Sequence, residues 1–483
     1  VSTTAAGTVR PRPRLYIDGV ELECGLDAED PTVPVILDGL AINWGRDDIW
    51  DEPNTTTLTV ALYDRAGAWA QRIAAAQAVG AQVMLYATEA ATSFSHLVFR
   101  GQVSAVKARP RRRDRPDGEW MVTLTVADPT AGLGNATVQA AIGNTNTWPH
   151  ETLRARAVRT AVQVAAASGI PDAYFDPAMV NYRVAPWEVE GNVRDLVTRL
   201  YQSTGASWTY VQHENVIRSV DRIVPRARGL LTLRRVPAVG DAGHIVTVAT
   251  APGPYDPGSS TAPWPSATVP ACWAVAEDDD MEQTKTQAIT RVVVKWHNWA
   301  NDTGREIHTV LDDPTPPIAG RNELVHESWL SDGLDVDPMI YRLLARATAE
   351  GRRPLHPVIT YDTDRTAGGF LDATAARRHL TPAETNGLVS VPGSPFADWL
   401  VYVPIFRPSG GRIEYRRGRW HITYTLQWLD LDFDGVPDMF GWGQLGHTDR
   451  LTWAGPDTVL DESISYASLE NVELPATWAS DWT

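Results

Sequence analysis

Residues 40–69 read LAINWGRDDIWDEPNTTTLTVALYDRAGAW. Leu40, Ile42 and Trp44 alternate with small or polar residues, and Leu58, Val60 and Leu62 do the same. A period of two marks half-buried antiparallel strands, because successive side chains point to opposite faces. Between the two runs lie Arg46-Asp47-Asp48 and Glu52-Pro53-Asn54. Both segments favour turns, and Pro53 has no N–H to give to a ladder. The second run stops at Asp64, and Gly67 with an Ala-rich stretch follows, so sheet passes into helix. Trp44 continues the apolar face of Leu40 and Ile42, and Trp69 opens the helix that must cover that sheet. Both are predicted to be core or inter-domain anchors.

Outward from this stretch, residues 14–137 read as one β-rich unit, preceded by an arm at 1–13. Asp18-Gly19 is a hairpin turn, and further strands are expected at 83–86, 96–107 and 120–126. Thr57-Leu-Thr-Val60 ending at Asp64 is echoed by Thr123-Leu-Thr-Val126 ending at Asp128, each Asp being suited to cap the next turn. Residues 138–224 change character. A helix is expected over 149–168, with Pro149 first and Gly169 just past its end. A second is expected over 193–203, followed by a hairpin turning at His213-Glu214-Asn215. Helix, helix and hairpin make a small α+β domain. Residues 225–483 return to strands, with a Pro-rich strap at 251–271, a helix at 338–350 capped by Asp337, and a Trp-rich tail. The fold class is mainly β with an α+β insert.

The arrangement Trp44-Gly45-Arg46, then Pro53, then an alternating strand, then Leu62-x-Asp64-x-x-Gly67-x-Trp69 resembles the opening of the minor tail, or tail-hub, proteins of long-tailed bacteriophages. Residues 99–128 and 196–208 carry further echoes, and the sheet, helix pair, hairpin and second-sheet order matches the same family by layout. The stretch 362–395 and the Pro-rich strap match nothing in that pattern. The resemblance implies two tube-like antiparallel β-barrel or sandwich domains flanking the smaller helix–helix–hairpin domain. It further implies a homotrimer at the virion tail tip, with six barrels around one axis. Its partners would be the tail tube or distal tail ring protein, the tape-measure protein and receptor-binding tip proteins. DNA would be passing cargo only, and no catalysis or cofactor is expected. Two alternatives stand beside this one: a distal tail ring protein, and a virion-borne or secreted glycan-binding or glycan-hydrolysing protein using its tryptophans.

Composition narrows the classes. At 483 residues, 43% hydrophobic and 21% charged, the chain is long enough for two to four domains with real cores. A net charge of −16 argues against wrapping nucleic acid with a general basic surface, and suits a conduit past which phosphates slide. The 19 tryptophans suit barrel cores and subunit interfaces. No run approaches the length of a membrane span, so no stable membrane insertion is expected. Arg10, Arg12 and Arg14 lead into no apolar segment, so residues 1–13 do not read as a secretory signal. Cys24 and Cys272 lack metal-type spacing and read as two buried thiols, or as a pair if the fold brings them together.

Few motifs carry chemistry. Gly441-Trp-Gly443-Gln-Leu-Gly446 fits G-x-G-x-x-G but lacks the strand–turn–helix context that aims a helix at pyrophosphate. Ser104-Ala-Val-Lys107 fits S-x-x-K, yet on a regular strand these side chains point to opposite faces. Asp430, Asp432, Asp434 and Asp438, with Gly435, copy the first half of a calcium-binding loop, although Gly441 stands where a bidentate Glu belongs. A Ca²⁺ site and a metal-free acidic turn both remain open there, and Glu277-Asp-Asp-Asp280 reads as a solvated acidic turn. In the basic loop 109–115, Arg111, Arg112 and Arg113 are candidates for contact with a neighbouring subunit.

Overall fold

A computed structural model describes residues 9–22, 24–25, 35–46, 52–110, 119–138, 147–174, 182–205, 207–219, 230–237, 242–249, 289–299, 304–313, 322–352, 358–362, 370, 373–381, 388–390, 405–416 and 418–428. The Pro-rich strap, Glu277–Asp280, Cys272, the G-x-G-x-x-G segment, Arg111 to Arg113, the Asp430–Asp438 loop, the Trp-rich tail and most of 362–395 lie outside them.

The two alternating runs are strands Val35–Gly45 and Thr57–Asp64, paired antiparallel with Ile42 opposite Leu58 and Leu40 opposite Val60. Thr57–Asp64 pairs in turn with Trp120–Ala127, and the ladder continues through Phe94–Pro110 and Gln82–Glu89 to Arg12–Ile17. Arg10, Arg12 and Arg14 alternate with buried Val9, Pro11, Pro13 and Leu15, so the basic residues lie on the wet face. Residues 9–13, read from the sequence as part of an arm, are stitched into the fold. Val9 and Phe370 exchange backbone hydrogen bonds at 2.7 and 2.6 Å, and Trp420 Nε1 donates to the Pro11 carbonyl at 2.9 Å.

On its other edge Val35–Gly45 pairs with Ile405–Arg416, which forms a hairpin with Arg419–Trp428. The β-rich regions on either side of the α+β insert are therefore hydrogen-bonded into one sheet of 14 strands, most of them antiparallel. Its path runs from Ala242–Ala249 to Val20–Glu21 and closes into no barrel among the described residues. One core lies against it, in which Leu58, Leu62, Phe99 and Leu124 pack with Trp420, Ile422, Tyr424 and Phe370. Each such side chain contributes roughly 1.5–3 kcal/mol on burial, so residues from both ends of the chain hold a single core.

Two smaller units complete the architecture of the described residues. The α+β unit has helices Leu153–Ser168 and Val193–Gln202 and the hairpin Trp208–Val211 with Val216–Ser219. Asp172–Tyr174 adds a parallel third strand to that hairpin. The first helix starts at Leu153, four residues later than the sequence suggested. Trp148 pairs across to Trp187 in extended form, and Thr152 caps the helix by accepting from the Ala155 N–H. Pro149 is a good first helical residue, but its segment is used for pairing instead. The third unit joins strands Arg291–Asn298, Arg305–Asp312 and Glu323–Glu327 to helix Gly333–Arg352. That helix begins before the expected 338, because the Asp332 carboxylate takes the Leu334 N–H at 3.0 Å and starts it there. Pro338 then lies inside the helix, just past its first turn.

Between the last two units Arg156 is fully buried, its guanidinium 5.4 Å from the Trp148 ring and 5.1 Å from the Trp329 ring. Its Nε donates to Glu151 Oε1 at 2.7 Å and one Nη donates to the carbonyls of Pro149 and Ala185. The Trp187 ring lies 5.1 Å from Trp329 at a tilt of 42° and 5.4 Å edge-on from Trp148, so three tryptophans close this knot. Among the described residues, no helix is long and apolar enough to cross a membrane.

Candidate functional site

Of the residues singled out by the sequence, Trp44, Gly45 and Asp128 line a seam where the large sheet meets the α+β hairpin and the short helix Ala373–Leu380. Gly45 is the crossing point. It has φ +80°, and a Cβ built on it would stand 2.2 Å from the Ser409 carbonyl oxygen. A Cβ on Gly410 would in turn lie 2.6 Å from the Arg46 carbonyl oxygen. Only glycine allows both the left-handed backbone and this approach, and the Arg46 N–H closes the contact by donating to Ser409 O at 3.1 Å. Trp44 is half-buried beside it, edge-on to Tyr424 with ring centroids 6.3 Å apart. Its indole Nε1–H is buried and finds no hydrogen-bond acceptor among the described residues.

Trp69 is buried, and its motif neighbours explain why. Asp64 Oδ2 accepts the Trp69 N–H at 2.8 Å and Oδ1 the Ala66 N–H at 3.2 Å, while Gly67 takes the left-handed conformation that starts helix Ala68–Ala74. Arg72 then lies 5.0 Å over the Trp69 ring.

Asp128 repeats the device at the seam itself. Its carboxylate accepts from Thr130 N and Oγ1, from Thr56 N at 3.2 Å, and from Gln212 Nε2 at 3.4 Å. The other end of that amide, Gln212 Oε1, accepts the Arg100 N–H at 2.8 Å. One hairpin side chain thus spans two strands of the large sheet. Burial pushes the Asp128 carboxyl up to about 6, against the pull of its Thr130 and Thr56 hydrogen bonds. Arg194, in the first turn of helix Val193–Gln202, donates to the Pro53 carbonyl and to Thr55 Oγ1, and its Nε lies 3.6 Å from Glu52. The turn segment between the two motif strands is therefore clamped to the α+β unit.

The cleft along this seam is lined by Trp44, Asn54, Asp128, Trp208, Tyr210 and Gln212 among others. Its groups are engaged in capping and bridging, and the arrangement is that of a joint. Among the described residues, no cluster of three His, Cys, Asp or Glu side chains could hold a metal ion. The S-x-x-K match dissolves for a reason other than strand alternation. A bulge at Ser104 breaks the register between Val103 and Ala105 and leaves both Ser104 and Lys107 exposed, with Ser104 Oγ donating to Thr125 O at 3.1 Å. Gln212 and Arg194 escape sequence reasoning because a polar residue in a turn or on a helix surface carries no pattern. The Asp128 echo is the signal that points to this region.

No protein-family model matches the sequence, and no curated protein matches it either. Among solved structures, the tail protein from Neisseria meningitidis MC58 superposes with a TM-score of 0.51, covering 90% of this chain and 98% of that one at 11% identity. The 43 kDa tail protein of prophage MuSo2 from Shewanella oneidensis gives 0.50, covering 86% and 98%, also at 11%. This chain has the fold of those tail proteins. Within the tail-protein fold, the W-G-R and D-x-x-G-x-W residues form the sheet crossing and the helix cap.

Proposed function

We propose that this chain is a structural tail-hub protein at the tip of a phage tail. It joins the end of the tail tube to receptor-binding tip parts and closes or gates the DNA channel. The observation that carries this reading is the tail-protein fold, matched over nearly the whole of both chains. In this role the protein acts mechanically, without catalysis or cofactor. Three copies form a ring in which the sheet units face one axis as tube-like walls and the α+β units buttress them. Its partners are the tail tube or distal ring protein above, the end of the tape-measure protein within, and receptor-binding parts below. DNA passes without being gripped. A net charge of −16 per chain supports that last element, since few Lys or Arg contacts to phosphate means little salt-dependent drag.

The test is the symmetry of the purified chain and of virion tips. Light scattering should give a trimer, and averaged images should show three-fold symmetry. A stable hexamer moves the assignment to the distal ring, and a monomer at high concentration removes both.

A further inference from the structure

Two strand edges are open among the described residues and match each other in side chains and in charge. The first belongs to Phe94–Pro110. Its pairing with Gln82–Glu89 stops at Gln102, and from Ala105 to Pro110 its described partner is Trp120–Ala127 alone, on one side. The bulge at Ser104 lies at this point of departure, and a bulge bends its strand and raises the twist. The arm beyond it alternates. Val106 and Ala108 are half-buried on the core side, and Lys107 and Arg109 are exposed on the other. In sequence the arm runs on into Arg111, Arg112 and Arg113.

The second edge is Arg305–Asp312, the outermost strand on one side of its three-stranded sheet. It pairs with Arg291–Asn298 along its whole length without a bulge. Ile307 and Leu311 are half-buried against the core that helix Gly333–Arg352 covers, while Glu306, His308, Val310 and Asp312 are exposed on the opposite face. Val310 is 41% exposed although it stands opposite a buried Val293. On that outer face the carboxylates Glu306, Asp312, Glu323 and Glu327 outnumber Arg291 and Lys295. Glu306 Oε1 lies 2.6 Å from His308 Nε2, and Asp312 Oδ1 3.6 Å from Arg291 Nε. The other side of the sheet abuts helix Val193–Gln202, with His326 Nε2 2.6 Å from the Gln202 carbonyl and Ser328 Oγ donating to Ser203 O at 2.9 Å. Proline, lysine and bulges usually blunt an open edge, and Arg305–Asp312 has none of them.

We propose that the basic arm of one copy adds as a strand to Arg305–Asp312 of a neighbouring copy. The pairing rests on the ring of copies proposed above, for which it supplies a contact. Added there, Val106 and Ala108 extend the apolar cover over Ile307 and Leu311, and Lys107 and Arg109 stand on the face of Glu306 and Asp312. Backbone N–H and C=O groups make the attachment, and alternate side chains choose the partner. Opposite charges across a strand pair stabilise it, and like charges directly opposite oppose it. Two arms would set Lys107 and Arg109 against their own kind, and two acidic edges would do the same with Glu306 and Asp312. The unlike pairing is therefore the favoured one, with repulsion set against the alternatives. A contact between two different surfaces of the same chain is heterologous, the kind that closes into rings.

The experiment uses the full-length chain and reads association by light scattering. Lys107→Glu with Arg109→Glu should weaken self-association roughly tenfold or more, and Glu306→Lys with Asp312→Lys should do the same. All four reversals on one chain should restore it. These side chains are exposed, so the folded state is kept and a melt checks it. In a Cys24→Ala, Cys272→Ala background, Lys107→Cys and His308→Cys are placed on separate chains, mixed and oxidised. A disulfide between the two chains should form much faster than in either variant alone. In the unsubstituted chain, hydrogen exchange in peptides covering 104–110 and 305–312 should slow on association. A trimer that ignores both reversals and yields no mixed disulfide overturns the pairing and leaves the ring standing. A monomer at high concentration removes both. A disulfide that forms only when both cysteines are on one chain makes the contact internal and overturns it as one between copies.

Discussion

Gly45 and Ser409 touch through backbone alone, with a virtual Cβ of the first only 2.2 Å from the carbonyl oxygen of the second. Strands Val35–Gly45 and Ile405–Arg416 can pair this closely because neither Gly45 nor Gly410 has a side chain at the contact. Gly45→Ala should therefore destabilise the chain by about 2–5 kcal/mol, the sum of left-handed strain and a forced backbone shift. Gly19→Ala is the control, because Gly19 has a similar φ of +79° and open space around its Cβ. It should cost only about 1–2 kcal/mol. Equal losses in denaturant melts of the two variants would show that the crossing does not need the close approach.

Trp69→Ala should cost about 3–5 kcal/mol, the range for removing a fully buried large side chain, since Trp69 is 3% exposed. Trp44→Ala should cost less, because its ring is only half-buried at the seam. Chemical denaturation of both variants checks the order, and a larger loss at Trp44 would reverse it.

Arg156→Met should destabilise by about 3–5 kcal/mol, because it leaves the nearly buried Glu151 carboxylate with Arg159 as its remaining ion-pair partner. Adding Glu151→Gln should recover part of the loss, as replacing a whole buried pair is often close to neutral. A double-mutant cycle that showed simple additivity would mean the two side chains act separately.

Asp335 sets a pH dependence of stability. Burial, with the nearby Asp332 charge, holds its carboxyl at about 6 against the hydrogen bond from the Arg183 N–H. The folded state therefore keeps a proton that the unfolded chain loses near 4, and its contribution to stability falls as pH rises from about 4 to 6. Asp335→Asn should flatten that part of the melting-temperature profile. An unchanged profile would place the titration elsewhere.

How much was legible in the sequence depended on the range of the interaction. Period-two alternation at 40–62, the Asp64 cap and the Gly169 stop are local, and local chemistry writes them into neighbouring residues. Helix starts were less legible. Pro149 and Asp337 are sound start signals, but Thr152 and Asp332 hold the positions that supply the cap. The third strand Asp172–Tyr174 and the sheet join at Gly410 are long-range pairings that no local pattern announces. The seam was half legible, since Asp128 showed itself by an echo and Gln212 did not.

The join between Val35–Gly45 and Ile405–Arg416 also sets a timetable. Most of the first strand's outer edge waits for a partner made about 370 residues later, an interval of roughly 20–70 s at ordinary translation rates. During that wait the nascent sheet presents unpaired N–H and C=O groups, a template for strands of neighbouring nascent chains. Expression at low temperature or with chaperones that shield strand edges should raise the soluble yield, and truncation before residue 405 should lower it. The closing contact is also of very high sequence separation, so the final assembly step is expected to be slow however stable the product.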